Sequence, residues 1–178
     1  MTNAESFVAF VRRYQDMVFA TAVRLLGNPA DAEDAAQTVF LRAFEHYGQL
    51  AGNPAAGGWL KTTARNVCLN HLSRYRARWR FFSEIDPDRE TGERYEDGLE
   101  SRVSRAIEDE DVDRSERLER AIHHLPDAQR VPLVLFHFEE LSYDEIARTL
   151  GVSLAKVKTD IHRARQALRR LVTTDGTR

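Results

Sequence analysis

The sequence predicts an all-α protein: two small helical domains joined by an acidic flexible linker, with a helix-turn-helix in the second domain. Three observations lead there. Apolar residues recur at three- and four-residue steps along most of the chain, and no stretch alternates as a strand does. One internal segment, from Asp86 to Asp113, breaks the pattern. Its apolar residues are few and scattered among Pro, Gly and like charges, too little to bury to offset the entropy of ordering. The chain has 178 residues, 42% apolar and 30% charged, enough for packed cores beneath heavily solvated helices. The expected division is residues 1–85, a linker at 86–113, a second domain at 114–173 and a tail at 174–178.

The first helix is read from about Ala4 to Leu26, with Phe7, Phe10, Val11, Tyr14, Val18, Ala22 and Leu25 on one face. Gly27 ends it. Asn28-Pro29 then supplies an N-cap followed by proline at the first helical position, and Asp31, Glu33 and Asp34 lie where the helix dipole favours acids. Ala36, Val39, Phe40, Ala43, Phe44 and Tyr47 keep the helical period. A loop is expected over Gly48 to Gly58, rich in Gly, Ala and Asn. From Trp59 a third helix carries Leu60, Ala64, Val67, Leu72 and Tyr75 and dissolves into an Arg-rich run through Arg80. Three such helices bury a shared core.

Periodicity returns beyond the acidic segment at Leu118, Ile122 and Leu125, and continues through Val131–Phe138, Ile146, Leu150, Val157, Ile161, Leu168 and Leu171. Ser142-Tyr143-Asp144-Glu145 has the form of a capping box, in which serine and the glutamate three residues later satisfy each other's orphan amides. A short helix starts there. Gly151 can adopt the left-handed conformation that ends it, and Ser153 can cap the next helix. Val157 and Ile161 lock that helix against the first, leaving Lys158, Thr159, His162, Arg163 and Gln166 to face outward. The spacing of Ala147, Gly151 and Val157 is that of a helix-turn-helix, whose second helix enters the DNA major groove. The alternative is a helical hairpin with a solvated basic face.

A formal net charge of −2 argues against nucleic-acid binding only if charge is spread evenly. It is not. From Lys61 to Arg80 there are six Lys and Arg and no acids, whereas Asp86 to Asp113 holds twelve acids against four Arg. From Arg148 to Arg170, Asp160 is the one acid among Arg148, Lys156, Lys158, Arg163, Arg165, Arg169 and Arg170. The single cysteine, Cys68, excludes an intramolecular disulfide and reads as a packed thiol. No metal ligands occur at suitable spacing, and no cofactor is expected. No signal-peptide pattern and no apolar run long enough to span a bilayer are present, so a cytoplasmic protein without membrane insertion is expected.

With these motifs in place, the chain resembles the extracytoplasmic-function (ECF) group of bacterial RNA polymerase sigma factors. Residues 28–44, Asn28-Pro-Ala-Asp-Ala-Glu-Asp-Ala-Ala-Gln-Thr-Val-Phe-Leu-Arg-Ala-Phe44, resemble that family's polymerase-binding helix. Trp59-Leu-Lys-Thr-Thr-Ala-Arg-Asn66 and the Arg-rich run after it resemble its promoter-melting region. Leu125-Pro126 with Arg130, Leu141-Ser-Tyr-Asp-Glu-Ile-Ala147 and Ile161-His-Arg-Ala-Arg165 resemble its second domain. All occur in family order, and together they cover nearly everything outside the linker.

The resemblance implies a factor that binds core RNA polymerase, reads −35 and −10 promoter elements and helps open the −10 duplex. It implies polymerase contact through Asp31, Asp34, Gln37, Phe40, Leu41 and Arg42. The plainer reading leaves the acids to the helix dipole and Phe40 and Leu41 to the core. Thr38 stands where relatives usually carry an acid. For the −10 element, base contact is assigned to Tyr47, Gln49 and Asn53, and the single strand to Lys61, Arg65, Asn66 and Arg74. Trp59 is more simply a core residue. Gly57-Gly58 is unusual for the family, placed to lengthen or loosen the recognition loop. For the −35 element, Lys158, Thr159 and His162 are assigned to bases, with Lys156, Arg163 and Arg165 in the same basic set and the two arginines on the backbone.

Two departures bear on that element: Ala155-Lys156 replaces the usual Gly-Thr, and Asp160 stands where a basic or small residue is common. Asp160 either accepts from a cytosine amino group or repels phosphate and faces inward to a nearby Arg. The linker acids either mimic nucleic acid within the polymerase or form a solvated spacer. Free protein is expected to bind duplex DNA poorly, the acidic block opposing the basic ones. The partners implied are core RNA polymerase, promoter DNA and an anti-sigma factor, with no small-molecule substrate. An enzyme is disfavoured by the lack of a paired-carboxylate site, nucleophile motif or phosphate-binding glycine loop. A second alternative is a sigma-like decoy that sequesters an anti-sigma factor.

Overall fold

The computed structural model describes the backbone of residues 3–72 and 110–174, and side chains within 7–72 and 115–172. Eight helices are present among them: α1 Asn3–Leu26, α2 Pro29–Glu45, α3 Tyr47–Leu50, α4 Ala56–His71, α5 Glu110–His124, α6 Asp127–His137, α7 Tyr143–Leu150 and α8 Leu154–Thr174. Most of the expected linker, and Arg74, Tyr75 and the Arg-rich run to Arg80, lie outside the described residues.

In the first unit α1, α2 and α4 pack on one another. The α1 stripe Phe10, Val18, Ala22, Leu25 and Leu26 is buried. At its end Gly27 turns left-handed at φ +68, and its N–H donates to the Val23 carbonyl at 2.8 Å. Asn28 is extended, and its Oδ1 accepts from the amides of Ala30 at 2.9 Å and Asp31 at 3.5 Å, with Pro29 as the first helical residue. The buried face of α2 is Ala32, Ala35, Val39 and Ala43, mostly small residues that let α1 and α4 approach closely.

The expected loop over 48–58 is shorter than the composition suggests. Tyr47–Leu50 forms one helical turn that buries Tyr47 and Leu50. Asn53 turns the chain into α4, its Oδ1 accepting from the Ala55 amide at 2.9 Å and its Nδ2 donating to the Gln49 carbonyl at 3.3 Å. Because α4 begins at Ala56 rather than Trp59, Gly57 and Gly58 lie in its first turn. They do not lengthen a recognition loop. A Cβ on Gly57 would meet the Tyr14 ring at 3.3 Å, so its bareness serves the approach of α1. Cys68 is fully buried in α4, and burial pushes its thiol up to about 12.

In the second unit α5, α6 and α7 all contact α8, around Ile122, Val134, Leu135, Ile146, Leu150, Val157 and Ile161. Helix α5 starts at Glu110, so Glu110, Asp111 and Asp113 are helical rather than linker. Between α6 and α7, Glu140 is the non-glycine residue with positive φ, at 56. The capping box of α7 is complete: the Ser142 amide donates to Glu145 Oε2 at 2.8 Å, and the Glu145 amide donates to Ser142 Oγ at 3.3 Å. Gly151 closes α7 at φ 68, ψ 38 with its N–H on the Ala147 carbonyl at 2.9 Å.

The two units touch along α1. The Arg24 guanidinium holds Glu119 in two-pronged fashion, Nε to Oε1 at 2.9 Å and Nη2 to Oε1 at 2.5 Å, and lies 4.4 Å over the Phe138 ring. Buried Arg130 donates to the carbonyls of Leu26 at 3.1 Å and Leu125 at 2.9 Å and to Asp127 at 2.5 Å.

The turn at Gly151 yields the first prediction. An L side chain in the left-handed region costs roughly 1–2 kcal/mol. Gly151→Ala is therefore expected to lower the urea-unfolding free energy by that amount, and Gly151→Asn by less; equal stability of all three proteins would contradict the cap assignment.

Candidate nucleic-acid and polymerase interfaces

On α8 the turn at Gly151 fixes which residues face out. Val157, Ile161 and Ala164 are buried, while Lys158 and Gln166 are exposed and Thr159 and His162 half-buried. Thr159 Oγ1 donates to the Ala155 carbonyl at 3.0 Å, and Gln166 Nε2 pairs with His162 Nε2 at 2.9 Å. Lys158, His162 and Gln166 recur at four-residue steps and so share one face.

Two members of the expected −35 set are turned elsewhere. Lys156 Nζ lies 2.9 Å from Asp160 Oδ2, and Asp160 is only 6% exposed. Asp160 thus faces inward, as one of the two sequence readings has it, but toward Lys156 rather than an arginine. Burial raises its carboxyl above the ordinary value, against the lowering effects of the Lys156 hydrogen bond and charge and of Arg163. Arg165 lies back on α6, 5.5 Å over the Phe136 ring, its Nε donating to His137 Nε2 at 3.4 Å. That geometry makes His137 an acceptor, in keeping with a pKa lowered first by burial and then by Arg165.

In the first unit, Tyr47 is unavailable to a flipped base. It is 7% exposed, its ring edge-on to Phe7 at 5.1 Å and Phe10 at 5.5 Å. Gln49, Asn53 and Asn66 are exposed, and Arg65 is half-buried. Trp59 is half-buried, packed against the core, with the exposed His46 ring 5.6 Å away. Lys61 donates to the Phe138 carbonyl at 2.6 Å, across the seam between the units. Arg74 lies outside the described residues.

The polymerase set falls mostly on the outer face of α2. Asp34, Gln37, Leu41 and Arg42 are exposed, and Asp31 lies 3.7 Å from His71. Leu41 is 68% exposed and Phe44 is 58% exposed, so neither is core, and Phe44, not anticipated, joins the face. Phe40 is turned aside and packs against the core. Thr38, in place of an acid, folds back to the Asp34 carbonyl at 3.0 Å.

The family profile for Sigma-70 region 2 matches residues 10–79, and that for Sigma-70 region 4 matches residues 115–168. RNA polymerase sigma factor YlaC of Bacillus subtilis is 31% identical over 174 residues, covering 97% of this chain and 95% of that protein. The RNA polymerase sigma-H factor of Pseudomonas aeruginosa is 31% identical over 171 residues, 93% of this chain and 86% of that one. ECF RNA polymerase sigma factor SigW of B. subtilis is 29% identical, over 94% and 89% of the two chains. The chain belongs to the ECF group of RNA polymerase sigma factors. Its first unit is therefore region 2 and its second region 4.

What sequence reasoning missed in this sigma factor is which polar groups bond within the protein. Lys156 and Asp160, four apart on a helix, carry a signal for pairing. Lys61 with Phe138 and Arg24 with Glu119 are 77 and 95 residues apart and carry none. No helix among the described residues is long and apolar enough to cross a membrane.

Two predictions arise from these side chains. Glu145 is held below the ordinary carboxylate range by its bonds to the Ser142 amide and hydroxyl. A depressed folded value means its stabilisation is present above the unfolded value and disappears as pH falls through the folded one. Glu145→Gln is expected to flatten the loss of thermal stability between about pH 6 and pH 3; an unchanged slope would contradict it. Asp160→Asn is expected to free Lys156 for phosphate, steepening the salt dependence of −35 binding by about 0.9 for each additional phosphate neutralised. A slope identical to wild type would show Lys156 to be remote from DNA.

Proposed function

We propose that this sigma factor directs core RNA polymerase to promoters with the α8 face Lys158, Thr159 and His162 on −35 bases, and with Arg163 on the backbone beside it. Lys158 presents a point charge, while His162 and Thr159 carry hydrogen-bonding atoms that suit base edges. Gln166, on the same face, extends the readout. At the −10 element the reading rests on Gln49, Asn53, Arg65 and Asn66, with His46 and Trp59 replacing Tyr47 as the aromatic pair beside the strand. Lys61 joins them once it is free of Phe138. The α2 face Asp34, Gln37, Leu41, Arg42 and Phe44 docks on the polymerase, with Asp31 at its edge.

The observation that carries the proposal is the pair of exposed apolar side chains, Leu41 and Phe44, on a helix flanked by Asp34 and Arg42. Large apolar groups left exposed on one face mark a binding surface. Cytoplasmic action and restraint by an anti-sigma factor complete the reading, both drawn from the family. The catalytic chemistry belongs to the polymerase; the residues of the sigma factor bind and position.

Runoff transcription with core polymerase on promoters selected from a random library tests the assignment. Wild type is expected to give promoter-specific transcripts, and Leu41→Asp to lose them by failing to bind core. A sigma-like decoy gives no specific transcript on any template. Lys158→Ala is expected to relax preference at one −35 position, whereas Arg163→Ala weakens all templates alike and shallows the salt dependence. Equal losses on every template from both variants would undo this division of roles.

A further inference from the structure

His137, the last residue of α6, belongs to none of the motifs read from the sequence, yet it stands at the edge of the outer face of α8. Each residue turns an α-helix by about 100°, so Arg165, seven residues after Lys158, points almost the same way as that lysine. Ile161 and Ala164, next round the helix, are buried, which makes Arg165 the boundary between the outer face and the packed one. Its guanidinium leans over α6, 5.5 Å above the Phe136 ring, and its Nε and Nη2 lie 3.4 and 3.3 Å from His137 Nε2. Tyr143 of α7 stacks on Phe136 with ring centroids 4.7 Å apart, so the platform under the arginine is itself supported. His137 is exposed and Arg165 half-buried, and the pair opens on solvent beside Lys158 and His162.

In the free chain the imidazole accepts and the guanidinium donates. Burial, then the charge of Arg165 facing it from α8, lower the pKa of His137 and keep the ring neutral. The acid two residues on, Glu139, is buried and lies 4.0 Å from Lys61, and Tyr143 of α7 faces Phe136. A phosphate at this flank changes the balance. Its negative charge favours the imidazolium, and a protonated ring donates where the neutral ring accepted, so that two cationic donors converge on one group of acceptor oxygens.

We infer that His137 and Arg165 together form a phosphate site for the DNA backbone beside the −35 bases, in which His137 takes up a proton from solvent as the DNA binds. The inference rests on the reading of α8 on the −35 element and adds to it a residue of α6 and a proton. By linkage, a group that holds its proton more tightly in the complex than in the free chain strengthens binding as pH falls. The gain builds as pH falls through the bound value and levels off below the free one, which lies under the ordinary histidine value.

The test is the affinity of holoenzyme for a promoter duplex selected from the random library, read by fluorescence anisotropy at about pH 8 and about pH 6. Wild type is expected to gain about fivefold more affinity over that interval than His137→Gln, which keeps a hydrogen-bonding tip and takes up no proton. Polymerase and the other histidines contribute alike to both proteins, so the difference reports His137. Arg165→Ala is expected to weaken binding at either pH and to shallow the salt dependence by about 0.9. In the free chain, imidazole NMR signals are expected to show the titration midpoint of His137 raised by Arg165→Ala. Equal pH dependence of wild type and His137→Gln, or a His137 midpoint unmoved by Arg165→Ala, overturns the inference. If Arg165→Ala still weakens binding in that case, Arg165 holds phosphate without His137 and the −35 reading stands. If Arg165→Ala and Lys158→Ala both leave binding unchanged, that reading falls as well.

Discussion

The guanidinium of Arg130 sits where three pieces of the chain end. It donates to the carbonyls of Leu25 and Leu26 at the close of α1, to the Leu125 carbonyl before α6, and to Asp127 in the first turn of α6. A cation at a helix C-terminus offsets the unpaired carbonyls there, and 4% exposure keeps the field of this one from being screened. The space it fills is space that Gly27 vacates: a Cβ there would lie 2.5 Å from Arg130 Cζ. Bare glycine and long arginine are thus one fitted pair, bringing region 4 onto the end of α1. Among the described residues Arg130 Nε is buried without a hydrogen-bond partner, the other guanidinium nitrogens making the contacts above. Apolar residues of both regions run into one cluster around it.

Two other cations are held by buried carboxylates. Asp160 lies 2.9 Å from Lys156 on α8, and Glu139 lies 4.0 Å from Lys61. Both carboxyls are raised by burial and drawn down by their cations, so each ion pair is held at some desolvation cost. Net charge near zero therefore does not describe how this protein meets DNA. The relevant quantity is the number of cations whose partners lie outside the protein, and internal acids set that number.

Most of the architecture was legible because its signals are local. Asn28-Pro29, the Ser142–Glu145 box and Gly151 each act within a few residues, and the structure realises all three. The helix boundary at Ala56 was missed because Gly57-Gly58 reads as a breaker; the Tyr14 ring across the bundle explains the bare backbone at Gly57, while nothing in the structure explains it at Gly58. Tyr47 was misread for a related reason. A tyrosine beside a predicted loop suits base stacking, and nothing in the local sequence shows that Phe7 and Phe10, one helix away, already enclose it. Phe44 was misread in the opposite sense: it keeps the helical period of a core residue yet lies out on α2. Site residues depend on contacts made at long sequence separation, which periodicity does not encode.

The bare apolar tip of α2 has a cost outside transcription. Leu41 and Phe44 expose hydrocarbon that water would expel, and a net charge of −2 supplies little colloidal repulsion to keep copies apart. Any surface that covers these two side chains also stabilises the folded chain by mass action. On the proposed reading of this face, core polymerase is such a surface, and its binding slows unfolding, clumping and proteolysis of the copies it holds. Abundance of the factor is then coupled to the machine it serves through two side chains.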